Sequence, residues 1–513
     1  MDAELPTLLG AQHHNASDPD VARSVVRHTW ELSLDQLTTE GNTLARPLLR
    51  MLALLAQAPI PVTLITPDLL AAATDETVTV VGLEAALAGL YRYGLLGLPD
   101  PGTGLEPAQE ASAQVVLHPL IREISALAAR AEPGGSMRWH RALISRLSEA
   151  VRDVVEAGRS GWPTALLLAP HVRILLDHST LQTLSGARDT INALARVLHT
   201  AGAYTSEHSL HQHLCSAQTR LLGSDHPELL NTRNRLAIAL VGMGAYAQAV
   251  DLHRQTLAER LRILGPDHPE TLSSRNNLAW ALQKMGEYAQ AAHLHRRTLE
   301  DRLRILGPDH PETLVSRADL AWVLAEMEEY AEAADLHRTT LEDRLRILGP
   351  DHPSTLRSRS GLANALFGMG EYAEAADLHR RTLEDRLRIS GPDHPETVGS
   401  HNSLATALFG MGEYAEAADL HRRTLEDRLR ISGPDHPNTL RTRSGLANAL
   451  FKMGEYAEAA DLHRRTLEAR TRVLGASHPD TLRSRNDLDE VLATSRLAHR
   501  RRDGRQHRGP TTE

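Results

Sequence analysis

Histidine is the residue type that first suggests chemistry here, with 28 in 513 residues against a single cysteine, Cys215. Many of these histidines fall into two sets with a constant step. One set is His226, His268, His310, His352, His394, His436 and His478; the first six stand in Asp-His-Pro tripeptides and the last in Ser-His-Pro. The other set is His253, His295, His337, His379, His421 and His463. Neighbours within either set are 42 residues apart. Zinc needs three or four ligands about 2 Å from one ion, whereas equivalent points on side-by-side helices lie ~10 Å apart. The spacing therefore predicts two ladders and no metal cluster. The first ladder reads as turn capping and the second as helix packing. His293 and His295, two residues apart, cannot share a helix face. Cys215 reads as a small packed residue, and one cysteine allows no internal disulfide. No Ser/His/Asp set, paired carboxylates or Cys-x-x-Cys can be defended, and G-x-x-x-x-G-K-[ST] occurs nowhere, so no phosphate-cradling loop is expected. The expectation is a protein without catalytic residues, metal or cofactor.

The step of 42 residues points to the elements behind these ladders. Asp-His-Pro begins at Asp225, Asp267, Asp309, Asp351, Asp393 and Asp435, and the segments Phe367–Pro395 and Phe409–Pro437 are identical. In one unit, Gly265 and Pro266 end the preceding helix. Asp267 or His268 is the N-cap and Pro269 lies near N1, where its missing N–H is no loss. Residues 270–284 form helix A, with Leu272, Leu278, Ala279 and Leu282 at helical spacing. Gly286 breaks it. Helix B follows from Glu287 to Leu306, with Tyr288, Ala291, Ala292, Leu294, Leu299 and Leu303 on its apolar side. So short a pair cannot bury its own apolar face, and stacking on neighbours must complete the core.

The pattern Leu278-Ala279, Gly286, Tyr288, Ala291, repeated every 42 residues, resembles the tetratricopeptide signature. The longer unit carrying Leu-Gly-x-Asp-His-Pro resembles the kinesin-light-chain subclass. The resemblance covers residues 183–495 and implies an all-α, right-handed superhelical solenoid that binds proteins. Glu328 departs from it at the turn glycine of one unit, and Asp489 at the small alanine of the last. The resemblance also implies that the A helices line a concave face, whose exposed stripe runs at 3-4-3 spacing. Four positions follow from unit to unit: Asn231, Ser273, Val315, Arg357, Gly399, Arg441 and Arg483; then Asn234, Asn276, Ala318, Ser360, Asn402, Ser444 and Asn486; then Ile238, Trp280, Trp322, Asn364, Thr406 and Asn448; then Val241, Gln283, Ala325, Phe367, Phe409 and Phe451. Aromatics and arginine are enriched in binding hot spots. The expected peptide groove is therefore Asn276, Trp280, Trp322, Arg357, Asn364, Phe367, Asn402, Phe409, Arg441, Asn448, Phe451 and Arg483, with the arginines suited to an acidic peptide.

Residues 21–131 lack the period. Val21–Leu37, Leu44–Leu55 and Leu83–Gly94 read as helices, and Leu95–Leu98 and Val115–Leu117 as two short strands. With Thr29-Trp30-Glu31-Leu32-Ser33-Leu34 and Leu117-His118-Pro119-Leu120-Ile121-Arg122, this part resembles the winged-helix domain of bacterial NB-ARC/STAND signalling NTPases, without their nucleotide-binding module. That resemblance implies a nucleotide-sensing role for His118, and a separately encoded NTPase module as an alternative partner. Residues 132–182 read as a helical connector with helices at Arg138–Ala157 and Trp162–Leu176 and with Trp139 and Trp162 packed inside. Residues 1–20 and the basic tail 496–513 read as disordered, the last helix running from Pro479 to Leu497.

The totals set bounds on partners. Net charge is −9 and pI about 6.3, which argues against phosphate-driven nucleic-acid binding. Leu83–Tyr93 carries only Arg92, so a DNA-binding regulator ranks last. No secretory signal is apparent, and Leu44–Ile65 is interrupted by Arg46, Pro47, Arg50, Pro59 and Pro61, so no membrane span is expected. The chain reads as a cytoplasmic, bacterial scaffold for a protein or acidic peptide.

Overall fold

A computed structural model describes residues 19–74, 77–99, 114–131, 135–177, 179–476 and 479–506. Residues 1–18, 100–113 of the expected wing, Ser477-His478 and the final 507–513 lie outside the described residues. The chain divides into two compact units, one ending at Pro266 and the other beginning at Asp267.

The first unit opens with α1 (Pro19–Thr39), α2 (Ala45–Leu52), β1 (Ile60–Pro61), α3 (Pro67–Thr74), α4 (Val80–Arg92), β2 (Gln114–Val115) and α5 (Pro119–Ala131). Three expected helices correspond to α1, α2 and α4. The strands differ from expectation. β2 pairs antiparallel with β1, which the sequence pattern hides in a Pro-flanked dipeptide. Leu95–Leu98 contributes only a single bridge, Gly97 to Val116. Helix α3 was not anticipated.

Next come α6 (Gly135–Ala157), α7 (Trp162–Val172) and α8 (Ile174–Asp177). The expected helix 162–176 is therefore two pieces, with Pro170 inside the first. One continuous apolar core runs from Leu34 through Trp139, Leu143 and Leu168 to Ile191 and Leu214, so the helices between 135 and 177 share a core with the elements on both sides. Trp139 is buried, and its Nε1–H donates to Ala73 O at 3.0 Å, as a buried indole requires. Trp162 is half-buried with the Arg159 guanidinium 5.8 Å from its ring. The unit ends with α9 (Leu184–Thr200), α10 (Tyr204–Leu222), α11 (Pro227–Gly242) and α12 (Tyr246–Leu264).

The second unit holds α13 (Pro269–Met285), α14 (Tyr288–Leu306), α15 (Pro311–Glu326), α16 (Tyr330–Leu348), α17 (Pro353–Gly368), α18 (Tyr372–Ser390), α19 (Pro395–Gly410), α20 (Tyr414–Ser432), α21 (Pro437–Met453), α22 (Tyr456–Leu474) and α23 (Pro479–Gln506). Helices A and B match the sequence expectation within a residue or two. The last helix is the exception, because its backbone stays helical to Gln506, past the expected tail boundary.

A histidine caps helix A in the described repeats from His226 to His436. Nδ1 of His268 accepts the Glu270 N–H at 3.2 Å, and Nδ1 of His310 the Glu312 N–H at 3.2 Å. His, not Asp, is thus the N-cap. The preceding aspartate instead reaches the far end of its own helix B: Asp267 pairs with Arg304 at 2.6 Å. The A–B turn needs a left-handed residue, and Gly286 supplies it at φ 87°. Glu328 holds the same place at φ 64°, the one non-glycine residue with positive φ among the described residues. Close approach of helices falls at Ala279, Ala291 and Ala292, all buried.

Candidate functional site

In the second unit every helix packs on its chain neighbours. Among next-nearest helices, α13 touches α15, α15 touches α17 and α19 touches α21, whereas helices B make no comparable mutual contact. In these three pairs the A helices approach one another more closely than any two B helices do.

The expected groove residues separate into two groups on the A helices. Arg357, Asn364, Arg441, Asn448 and Arg483 are exposed. Arg357 and Asn364 are seven residues apart on α17, as are Arg441 and Asn448 on α21, so each pair shares one helix face. Their tethers are loose. Arg357 lies 3.9 Å from Glu396, Arg483 lies 3.5 Å from Asp480, and Arg441 donates to Asn438 Oδ1. Exposed pairs of this kind hold a side chain by no more than about 1 kcal/mol, so the guanidinium groups can turn to an incoming carboxylate.

The other members are packed. Phe367 sits against Tyr372 with centroids 5.1 Å apart, and Phe409 against Tyr414 at 5.2 Å. Phe451 and Tyr456 are 5.8 Å apart. These half-buried rings fill the A–B turn of their own repeats. Trp322 is also half-buried, edge-on to His337 at 5.6 Å, and Trp280 is half-buried. Asn402 accepts from Thr442 Oγ1 at 3.0 Å. Asn276 links a polar chain: its amide donates to Asp319 Oδ2 at 2.9 Å and its carbonyl accepts from His295 Nδ1 at 3.0 Å. Burial pushes the Asp319 carboxyl above the usual carboxylate range.

The second histidine ladder is interior. His295, His337, His379 and His421 are at most 2 % exposed, and burial pulls each of them down to about 4. Room for two of these rings comes from glycine. A Cβ on Gly361 would meet His337 Cε1 at 2.5 Å, and one on Gly445 would meet His421 Cε1 at 2.7 Å. Cys215 is half-buried, and burial pushes its thiol up to about 11, away from thiolate chemistry.

A third ladder escaped sequence reasoning. Arg302, Arg344, Arg386, Arg428 and Arg470 on the B helices are buried. Arg302 donates to Glu312 O at 3.0 Å and Ser316 Oγ at 2.7 Å, and Arg344 to Ser354 O at 2.9 Å and Ser358 Oγ at 2.7 Å. Arg302, Arg344, Arg386 and Arg470 thus clip helix B to helix A of the following repeat. Its signal was present as the first arginine of Leu-Glu-Asp-Arg-Leu-Arg, with Leu-Glu-Ala-Arg-Thr-Arg at Arg470, recurring every 42 residues with a small hydroxyl 14 residues on.

His118 is exposed at the start of α5, where its Nδ1 accepts the Leu120 N–H at 3.3 Å. It also lines a cleft of about 450 Å³ with Gln57, Pro59, Gly94 and Gly97. Arg92, the one basic residue of α4, is tied to Glu40. Among the described residues no three His, Cys, Asp or Glu side chains converge on a metal position, and no helix is long and apolar enough to cross a membrane.

Residues 188–228, 229–270 and 271–312 match one tetratricopeptide-repeat family model. Residues 327–388, 362–429, 396–471 and 441–496 match another. No curated protein matches the chain. Among solved structures, it is similar to a Podosopora anserina protein described as a kinesin light chain with nearly identical TPR-like repeats. That match has 27 % identity, 40 % of this chain, 97 % of that one and a TM-score of 0.37. BtubC from P. vanneervenii matches with 17 % identity over 46 % of this chain and 94 % of its own, TM-score 0.39. A signal transduction ATPase with numerous domains and a tetratricopeptide repeat sensor, from Pyrococcus horikoshii, matches with 14 % identity over 84 % of this chain and 64 % of its own, TM-score 0.41.

Proposed function

Because this chain belongs to the tetratricopeptide-repeat family, we propose that it is a non-enzymatic interaction scaffold that receives an acidic peptide or protein segment on the A-helix face of its second unit. The observation that carries this reading is the set of exposed, loosely held arginines at one repeat-equivalent position, Arg357, Arg441 and Arg483. Asn364 and Asn448 stand one further turn-pair along the same helices. Guanidinium groups recognise carboxylates with paired hydrogen bonds, and the asparagines can read an extended backbone. Trp280 and Trp322 contribute apolar walls from their half-buried positions, and the phenylalanines support the turns behind them.

The test is a displayed peptide library selected on the full chain, followed by fluorescence polarisation with the selected peptides. Binders should be enriched in Asp and Glu. The variant Arg357→Glu, Arg441→Glu, Arg483→Glu should weaken them at least ~30-fold, since each charge-assisted bond contributes roughly 1.5–3 kcal/mol. Selection of peptides without acidic bias, or equal binding by the variant, would remove the groove assignment.

A second reading rests on the alternation of helices with the β1–β2 pair in residues 45–131. There a winged-helix-like domain docks on a separately encoded nucleotide-binding module in bacterial signalling. Co-purification of such a module, binding ADP only in the complex, supports it; a complex in which His118→Ala leaves ADP affinity unchanged removes His118 as a sensor. Arg92, held by Glu40, leaves α4 poorly equipped to read DNA.

A further inference from the structure

The first unit contains a cleft of about 480 Å³ whose lining is cationic and hydroxylic, with no carboxylate. Three elements build it. Helix α5 brings Arg122, the C-terminal end of α7 brings Arg173, and α10 brings Thr205, Ser206, Ser209 and His213. The α10 residues share one face, because 205, 209 and 213 are successive i,i+4 neighbours with 206 beside them.

The cations here are uncompensated. Arg122 Nε donates to Leu55 O at 2.9 Å, which fixes the plane of its fork. Its terminal nitrogens have no partner among the described residues, and neither does the side chain of Arg173. Burial, then the charges of Arg173 and Arg130, hold the Arg122 guanidinium below its ordinary pKa. Two like charges facing one cleft without an acid are mutually unfavourable until an anion joins them. Helix α10 adds a second source of positive potential. Its N-cap is Ala203, which offers no side-chain oxygen, so the first-turn N–H groups beside Thr205 and Ser206 stay open. Guanidinium and hydroxyl donors in this number suit a tetrahedral oxyanion.

We propose that this cleft binds phosphate, free or as the terminal group of a small phosphomonoester, through Arg122 and Arg173 with hydroxyl donation from Ser206 and Ser209. The site is separate from the A-helix face of the second unit and stands or falls independently of the groove. The cleft volume leaves space beyond one phosphate for a compact organic moiety.

The experiment is isothermal titration calorimetry on the full chain at low ionic strength. The probes are inorganic phosphate and ribose 5-phosphate, with ribose and sodium chloride at matched ionic strength as controls. Saturable one-site binding of at least one phosphate is expected. Arg173→Gln and Ser206→Asp should each weaken it at least ~tenfold by removing a charge partner or adding a repelling one. Arg173 is exposed and Ser206 half-buried in the first turn of α10, so circular dichroism should show unchanged helicity. Arg152→Gln, an exposed residue elsewhere in the unit, should bind as wild type. Tighter binding of ribose 5-phosphate identifies an ester as the ligand class, and equal affinity identifies the free ion. Absence of saturable binding for both probes overturns the proposal. So does equal weakening by Arg152→Gln, which would trace binding to diffuse charge.

Discussion

His337 makes the repeat array acid-sensitive in a way that one substitution can isolate. Its ring is 1 % exposed, edge-on to Trp322 at 5.6 Å and pressed on the bare backbone of Gly361. Burial, with a smaller contribution from Arg344, lowers it from the ordinary 6.5 to about 4. In the unfolded chain the ring takes a proton as pH falls through 6.5; in the fold it stays neutral until about 4. Its contribution is therefore fully present above pH 6.5 and is lost progressively between 6.5 and 4. Working the linkage at pH 5 gives a loss of about 2 kcal/mol from this one residue. The assay is native-state amide exchange of helix Tyr330–Leu348, corrected for intrinsic rates, at pH 7.5 and 5.0 in wild type and His337→Phe. Comparing the two proteins cancels the pH response of every other group and the fixed effect of the substitution. Protection in the wild type should fall roughly 25-fold more than in the variant, the equivalent of about 2 kcal/mol. Equal pH responses would show that the ring is hydrated or already partnered, and the burial argument would fail.

Other outcomes follow from the same geometry. Gly361→Ala should destabilise the second unit by about 1–3 kcal/mol in urea unfolding, because its Cβ would overlap the His337 ring. Gly399→Ala, with nothing within 4 Å of the added atom, should stabilise by roughly 0.5–1 kcal/mol. Glu328→Gly should raise stability by about 1 kcal/mol by relieving the left-handed conformation at φ 64°; a lower melting temperature would argue against strain there. His310→Ala should cost about 1 kcal/mol through loss of the N-cap, while His310→Asn should be close to neutral.

Much of this protein was legible in its residues taken in order. Gly286, Pro269 and the alanines at 279 and 291 act within a few residues of themselves, so helix boundaries and the repeat followed from local chemistry. The histidine ladders were equally readable, because a step of 42 residues places equivalent side chains one repeat apart. Other features needed partners distant in the chain. Whether Phe367 opens to the groove or packs on Tyr372 depends on a turn closing behind it, and Asn276 became structural only when Asp319 of the next repeat came within 2.9 Å. The strand Ile60–Pro61 has no pattern of its own and exists through its pairing with Gln114–Val115. The burial of Arg302 and Arg344 is decided by helix A of the next repeat, which no local pattern shows. The Arg122–Arg173 cleft is likewise assembled from three helices. Periodicity and capping are short-range and written in the sequence; burial and charge compensation are sums over neighbours, which only the tertiary structure supplies.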